Sequence, residues 1–236
     1  MFKKSFLLIL FLSAVFLNAK SDENYKKSFE FYQQEAKKDN AIAQYNIAKM
    51  YKDGKGVEKD INKAFNWMFL AAKNGYSPAQ VSLAKMYILG IGTGKNYQEA
   101  YKWLLQAADK GNVKAKLAIG WMYAYGKGVK KDLKKALKWY KKAAKGNNAD
   151  AMYSIGFMYY NGVGVLKDYT KAYKWFIKAA KKNHPKAQRM LGIMYIYKQG
   201  VAKRDMQRAK YWLQKAFDNG DEEAKNIWND FEMWDY

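Results

Sequence analysis

Ala151-Met152-Tyr153-Ser154-Ile155-Gly156-Phe157-Met158-Tyr159, followed by Gly162, Gly164, Asp168, Ala172 and Trp175, decides the fold of this chain. In the first nine residues alanine, isoleucine, methionine and tyrosine recur at offsets 0, 4, 7 and 8. Those offsets share one face of a helix with 3.6 residues per turn. The two glycines permit positive φ, which ends that helix and turns the chain. Asp168 offers the side-chain oxygen that an N-cap requires, so a second helix starts there. It runs past Ala172 and Trp175 and stops at Asn183, a residue type that tolerates a left-handed C-cap.

The same hairpin recurs along the chain, and internal repetition fixes architecture before any other signal. Ala43, Ala79, Ala115, Ala151 and Ala187 are each 36 residues apart, and Tyr51, Tyr87, Tyr123, Tyr159 and Tyr195 keep that step, each preceded by methionine. Trp67, Trp103, Trp139 and Trp175 follow, with Trp212 one residue late, which places a single insertion between Val201 and Asp205. A small residue stands at Ala48, Ala84, Gly120, Gly156 and Gly192, where a neighbouring helix must come close. N-caps are expected at Asp60, Asn96, Asp132, Asp168 and Asp205, with Asn96 and Glu99 spelling a capping box. Stops are expected at Gly75, Gly111, Asn147, Asn183 and Gly220. The tryptophans are expected in the core, so Trp139→Ala should cost roughly 3–5 kcal/mol.

The boundaries follow. Five repeats occupy 43–78, 79–114, 115–150, 151–186 and 187–223, with an N-terminal capping helix over 20–42 and an acidic C-terminal capping helix over 224–236. Terminal units of a stacked array must cover the last core face and keep a polar outside. The acidic tail is also suited to pair with the lysines of the body. At the start, Met1-Phe2-Lys3-Lys4 precedes an apolar run from Phe6 to Leu17 and then Ala19, the pattern of a signal peptide over 1–19. That run is shorter than the about 20 apolar residues a bilayer span needs. A periplasmic or secreted location and no membrane span after signal removal are the expectations.

Formal net charge is +22, or +20 once Lys3 and Lys4 leave with the signal, which favours anionic partners. The lysines read as scattered along solvated helix faces, so nucleic acid is not an expected partner. Without cysteine the fold must stand on noncovalent stacking alone.

Taken together, these columns resemble the Sel-one-like repeat family, a relative of the tetratricopeptide repeat. Ala, small-x-Met-Tyr, Gly-x-Gly-Val, Asp, Lys-Ala, Trp and Ala-Ala are matched over Tyr25 to Asn226. The departures are Thr93 for valine, Lys198 for the first loop glycine and Phe217 for the second paired alanine. The resemblance implies an all-α fold, a right-handed α/α superhelical solenoid of antiparallel helix pairs that serves as a scaffold. Some secreted bacterial members are cysteine-rich and carry a β-lactamase label; their cysteines are missing here.

Catalysis finds little support. His184 is the single histidine, so no zinc site can be assembled, and a solvent-exposed turn is its expected place. Ser82-Leu83-Ala84-Lys85 matches the Ser-x-x-Lys of penicillin-recognising enzymes, but the companion motifs are absent. Gly90 to Lys95 fails as a phosphate loop because Leu89 and Asn96 stand where glycine and Ser/Thr are needed. No catalytic residue, cofactor or metal is expected, and the alternatives to a scaffold are a β-lactam or cell-wall hydrolase and a polyanion-binding envelope protein.

In helix-pair solenoids the first helices line the concave surface, and positions not needed for stacking are free for recognition. Those positions are Tyr45, Lys49, Val81, Lys85, Leu117, Trp121, Tyr125, Tyr153, Phe157, Tyr160, Ile193 and Tyr197. They read equally well as a groove for an unknown, acidic protein or peptide and as contacts between repeats.

Overall fold

The computed structural model describes residues 22–231. The segment read as a signal peptide, 1–19, and residues 232–236 of the acidic tail lie outside the described residues. No strand occurs among the described residues, and no helix among them is long and apolar enough to cross a membrane.

Two units are formed. The first runs to Lys110 and holds α1 (22–36), α2 (Ala41–Asp53), α3 (Ile61–Lys73), α4 (Ser77–Leu89) and α5 (Tyr97–Asp109). The second starts at Gly111. It holds α6 (Val113–Tyr125), α7 (Leu133–Lys145), α8 (Ala149–Asn161), α9 (Tyr169–Ala180), α10 (Pro185–Ile196), α11 (Met206–Asp218) and α12 (Glu223–Asp230). Within each unit every helix packs on the one before it and the one after it, so each is a stack of antiparallel pairs.

The hairpin is closed the same way each time. Asp60, Asn96, Asp132, Asp168 and Asp205 each accept the backbone N–H three residues on. Each also donates its own N–H to the carbonyl of Tyr51, Tyr87, Tyr123, Tyr159 or Tyr195, at 2.9 Å in four repeats and 3.2 Å in the fifth. That second bond corrects the capping-box reading. The Asn96 N–H is taken by Tyr87, and the Glu99 carboxylate pairs with Lys102 at 2.7 Å. The stops at Gly75, Gly111, Asn147, Asn183 and Gly220 all have positive φ, and Lys198 adopts φ 54° where the other repeats have glycine. A side chain on Gly164, the second loop glycine of its repeat, would run into Leu133 at the start of α7.

First helices start two residues before the alanine column, capped by Asn40, Asn112, Asn148 and His184. Tyr76 stands in that column without a side-chain cap bond, and Pro78 favours the first turn instead. The Ala, Ile/Leu and Met columns are buried as their spacing requires.

The tryptophans are a correction. All five are only half-buried, and the next residue in each case fills the core: Met68, Leu104, Tyr140, Phe176 and Leu213. The physical reason is size. A large indole stays at the edge of the pair, and in two repeats a lysine covers it: Lys142 lies 4.0 Å from the Trp139 ring centre and Lys178 4.5 Å from that of Trp175. The buried residue beside it packs on the small position of the first helix. A Cβ on Gly120 would sit 2.5 Å from the Tyr140 ring, and one on Gly156 2.7 Å from Phe176.

Buried glutamines join successive pairs. Gln44, Gln80 and Gln188 donate from Nε2 to the carbonyls of Ala36, Ala72 and Ala180, each eight residues back in the preceding second helix. Their occurrence at one repeat offset was legible in the sequence but has no apolar periodicity to draw attention to it. At the C-terminus two of the described acidic residues, before and at the start of α12, turn to an arginine. Asp221, buried, and Glu223 both pair with Arg189, at 2.9 and 2.8 Å. The planar guanidinium reaches both at once, Nε to Asp221 and Nη2 to Glu223, with donors in a fixed fork that a lysine lacks.

Candidate interaction surface

The exposed arc of the first helices divides the sequence-derived residues into two classes. Tyr45, Val81, Leu117, Trp121, Tyr153, Tyr160 and Ile193 are half-buried, whereas Lys49, Lys85, Tyr125, Phe157 and Tyr197 are exposed. In the first unit Tyr45 packs edge-on against Tyr76, with Lys49 over its ring. Lys49 also borders a hollow of about 280 Å³ together with Tyr25, Tyr32, Asp53 and Lys55. Ser82 and Lys85 lie one turn apart on α4, the serine half-buried and the lysine exposed.

In the second unit Tyr153 and Tyr160 are contacts between helices. Tyr153 stacks on His184 at 4.7 Å and meets Phe176 at 5.8 Å. The Tyr160 hydroxyl donates to Gln199 at 2.6 Å. His184 is therefore not a free turn residue. Its Nδ1 accepts the Ala187 N–H at 3.1 Å, and its Nε2 lies 3.3 Å from Asp150. Burial holds the imidazole below its ordinary pKa, with Asp150 pulling the other way.

The remaining aromatics are open to solvent: Tyr125 is 64% exposed, Tyr197 57% and Phe157 44%. Tyr125 and Phe157 border a groove of about 360 Å³ between α6, α7 and α8, floored by Leu133, Tyr140 and Tyr153. Trp121 leans on Tyr125, with ring centres 5.5 Å apart. Among the described residues Lys131 is the one charged side chain lining the groove. Burial pushes the Tyr140 hydroxyl up to about 12 and raises that of Tyr153, so both stay neutral at physiological pH. Such a groove takes an apolar side chain between rings and offers its flank one cation. Among the described residues no cluster of histidine, cysteine, aspartate or glutamate is placed to hold a metal.

The Sel1 repeat pattern matches residues 18–40, 41–76, 77–112, 113–148, 149–184 and 185–221. The chain belongs to the Sel1 repeat family. The five complete Sel1 frames begin at the first residues of α2, α4, α6, α8 and α10. A Sel1 repeat protein from Oxalobacter formigenes is 33% identical, with a TM-score of 0.80 over 90% of this chain and 85% of that one. A protective antigen of uropathogenic Escherichia coli strains that displays an SLR fold is 31% identical, with a TM-score of 0.77. That match covers 85% of this chain but 43% of the antigen. An immunity protein from Pseudomonas aeruginosa, 22% identical with a TM-score of 0.54, shares the fold alone. A search of curated proteins finds no match. This Sel1 chain thus has the all-α repeat solenoid fold of its family, whose members are generally non-enzymatic scaffolds that typically mediate protein–protein interaction.

Proposed function

We propose that this Sel1 protein is an exported scaffold that captures a protein or peptide ligand on the first-helix face of its second unit. The observation that carries this reading is the groove bordered by Tyr125 and Phe157. Large aromatic rings left open beside a mostly apolar hollow are what a partner's apolar anchor requires. Lys131 at the groove and the lysine excess of the chain favour an acidic partner. Export rests on the N-terminal sequence, and periplasm or exterior is the proposed location.

Affinity capture from a cell-envelope extract, with identification of what co-purifies, is the experiment. Trp121→Ala with Phe157→Ala should abolish recovery of that partner while the melting temperature stays close to the parent. Tyr125→Ser with Phe157→Ser, which alters exposed side chains, should do the same. Undiminished capture by both folded variants would refute the site. Unfolding of both would return these residues to the core.

A further inference from the structure

The lysines are not evenly spread over this molecule. Helix α7 carries Lys134, Lys135, Lys138, Lys141, Lys142 and Lys145, all exposed, and no acidic residue. Helix α5, its counterpart one repeat earlier, carries Lys102 against Glu99 and Asp109. Within the second unit α9 repeats the bias more weakly, with Lys174 and Lys178 and no acid, while Lys171 pairs with the cap residue Asp168 at 2.8 Å. On α7 the intervals of four, three and four place Lys134, Lys138, Lys141 and Lys145 in one row, about 16 Å long at the helical rise. Lys135 is neutralised in part by Asp132 at 3.8 Å, and Lys142 covers the Trp139 ring. Among the described residues no carboxylate pairs with the four in the row. Four like charges held side by side repel, so a fold that keeps them without counter-charges fits an anionic surface.

The kind of anion follows from the side chains. Lysine is a compact point charge without the fork that arginine uses for bidentate recognition, and no arginine occurs in α7. Single-stranded nucleic acid is bound by stacking bases on open aromatic faces. Here the Trp139 and Trp175 faces lie under lysine ammonium groups. A row of point charges matches a field of lipid phosphates, where lysine clusters adsorb electrostatically. The apolar side of α7 (Ala136, Leu137, Tyr140, Ala143, Ala144) is committed to the core, so the helix adsorbs without inserting.

We propose that the lysine face of α7, seconded by α9, docks this protein on an anionic phospholipid surface. The groove borders a different set of residues, and the inference does not depend on its being a ligand site.

The test is co-sedimentation of the full-length chain with vesicles of phosphatidylcholine alone or doped with phosphatidylglycerol. The apolar run near the N-terminus acts on both vesicle types and on every variant, so the readout is the anionic-over-neutral binding ratio. That ratio should exceed tenfold, roughly, and should fall steeply as salt rises from about 0.05 to about 0.3 M. Lys138→Glu with Lys141→Glu and Lys145→Glu should lower it by about tenfold or more. Lys52→Glu with Lys73→Glu and Lys85→Glu makes the same change in net charge at exposed positions of the first unit and should leave most of the ratio intact. Circular dichroism melting shows whether each variant is folded. Equal loss in both triple variants would overturn the assignment to α7. A ratio near one for the parent, or binding of duplex DNA with the same triple-variant sensitivity in place of vesicles, would overturn the lipid surface.

Discussion

The repeats of the two units solve one packing problem with different residues. In the first unit the small position of the first helix is alanine, and the core residue after the tryptophan is Met68 or Leu104. In the second unit the small position is glycine, and a Cβ there would collide with Tyr140, Phe176 or Leu213. The two positions of a pair trade volume: what the first helix gives up, the second fills with a ring. In the fifth repeat glycine faces leucine, and the fit is as close, with a Cβ on Gly192 2.7 Å from Leu213. The outer faces differ more freely, since α5 carries both signs of charge and α7 only one. Stacking constrains the buried pair jointly and leaves the outside to function.

The comparison can be broken most forcefully at Tyr140. Tyr140→Ala should cost about 3–5 kcal/mol in denaturant unfolding, as for other buried rings, while Trp139→Ala should cost clearly less, because its indole is only half-buried. Equal losses would restore the tryptophan to the core. The volume trade is sharpened by transplanting it. Leu104→Tyr should destabilise by about 1–3 kcal/mol while Ala84 remains. Adding Ala84→Gly should recover much of that, and a double-mutant cycle without coupling would dissolve the pairing.

A smaller effect lies on the alkaline side. The folded Tyr140 value is about 12, above the about 10 of an unfolded tyrosine. Its contribution to stability is thus complete below about pH 10 and is lost as pH rises toward 12. Tyr140→Phe should flatten that part of the stability curve, where Leu104→Phe in the first unit should not.

The smallest effect belongs to His184, which takes the cap position filled by Asn148 one repeat earlier. Its folded pKa is lowered, so its contribution is full above the unfolded value of about 6.5 and declines as pH falls through the folded one. Protonation at Nδ1 would also remove the acceptor of the Ala187 N–H. His184→Asn should keep the cap and reduce the acid sensitivity; parallel curves for parent and variant would show that Asp150, Tyr153 and Lys186 around the ring set no such dependence.

Most of the architecture was legible before any coordinates. The cap column from Asp60 to Asp205 and the stop column from Gly75 to Gly220 are local chemistry, because a cap is decided by the backbone within a few residues of it. The surface was legible only in part. Tyr153 and Phe157 stand on one helix at neighbouring recognition offsets, yet Tyr153 packs under His184 and Phe157 faces solvent. Which of two aromatics on one arc is covered depends on the adjacent repeat, and a helical wheel does not contain that repeat.

By itself the sequence determined the repeating hairpin, where each second helix is capped and stopped, and which face of each first helix turns inward, because these follow from periodicity and short-range hydrogen bonding. Only the tertiary structure decided that the residue beside each tryptophan is the core residue, that Arg189 receives Asp221 and Glu223, and which aromatics remain open. Those outcomes depend on packing between residues tens of positions apart, where volume and access to a partner outweigh residue type.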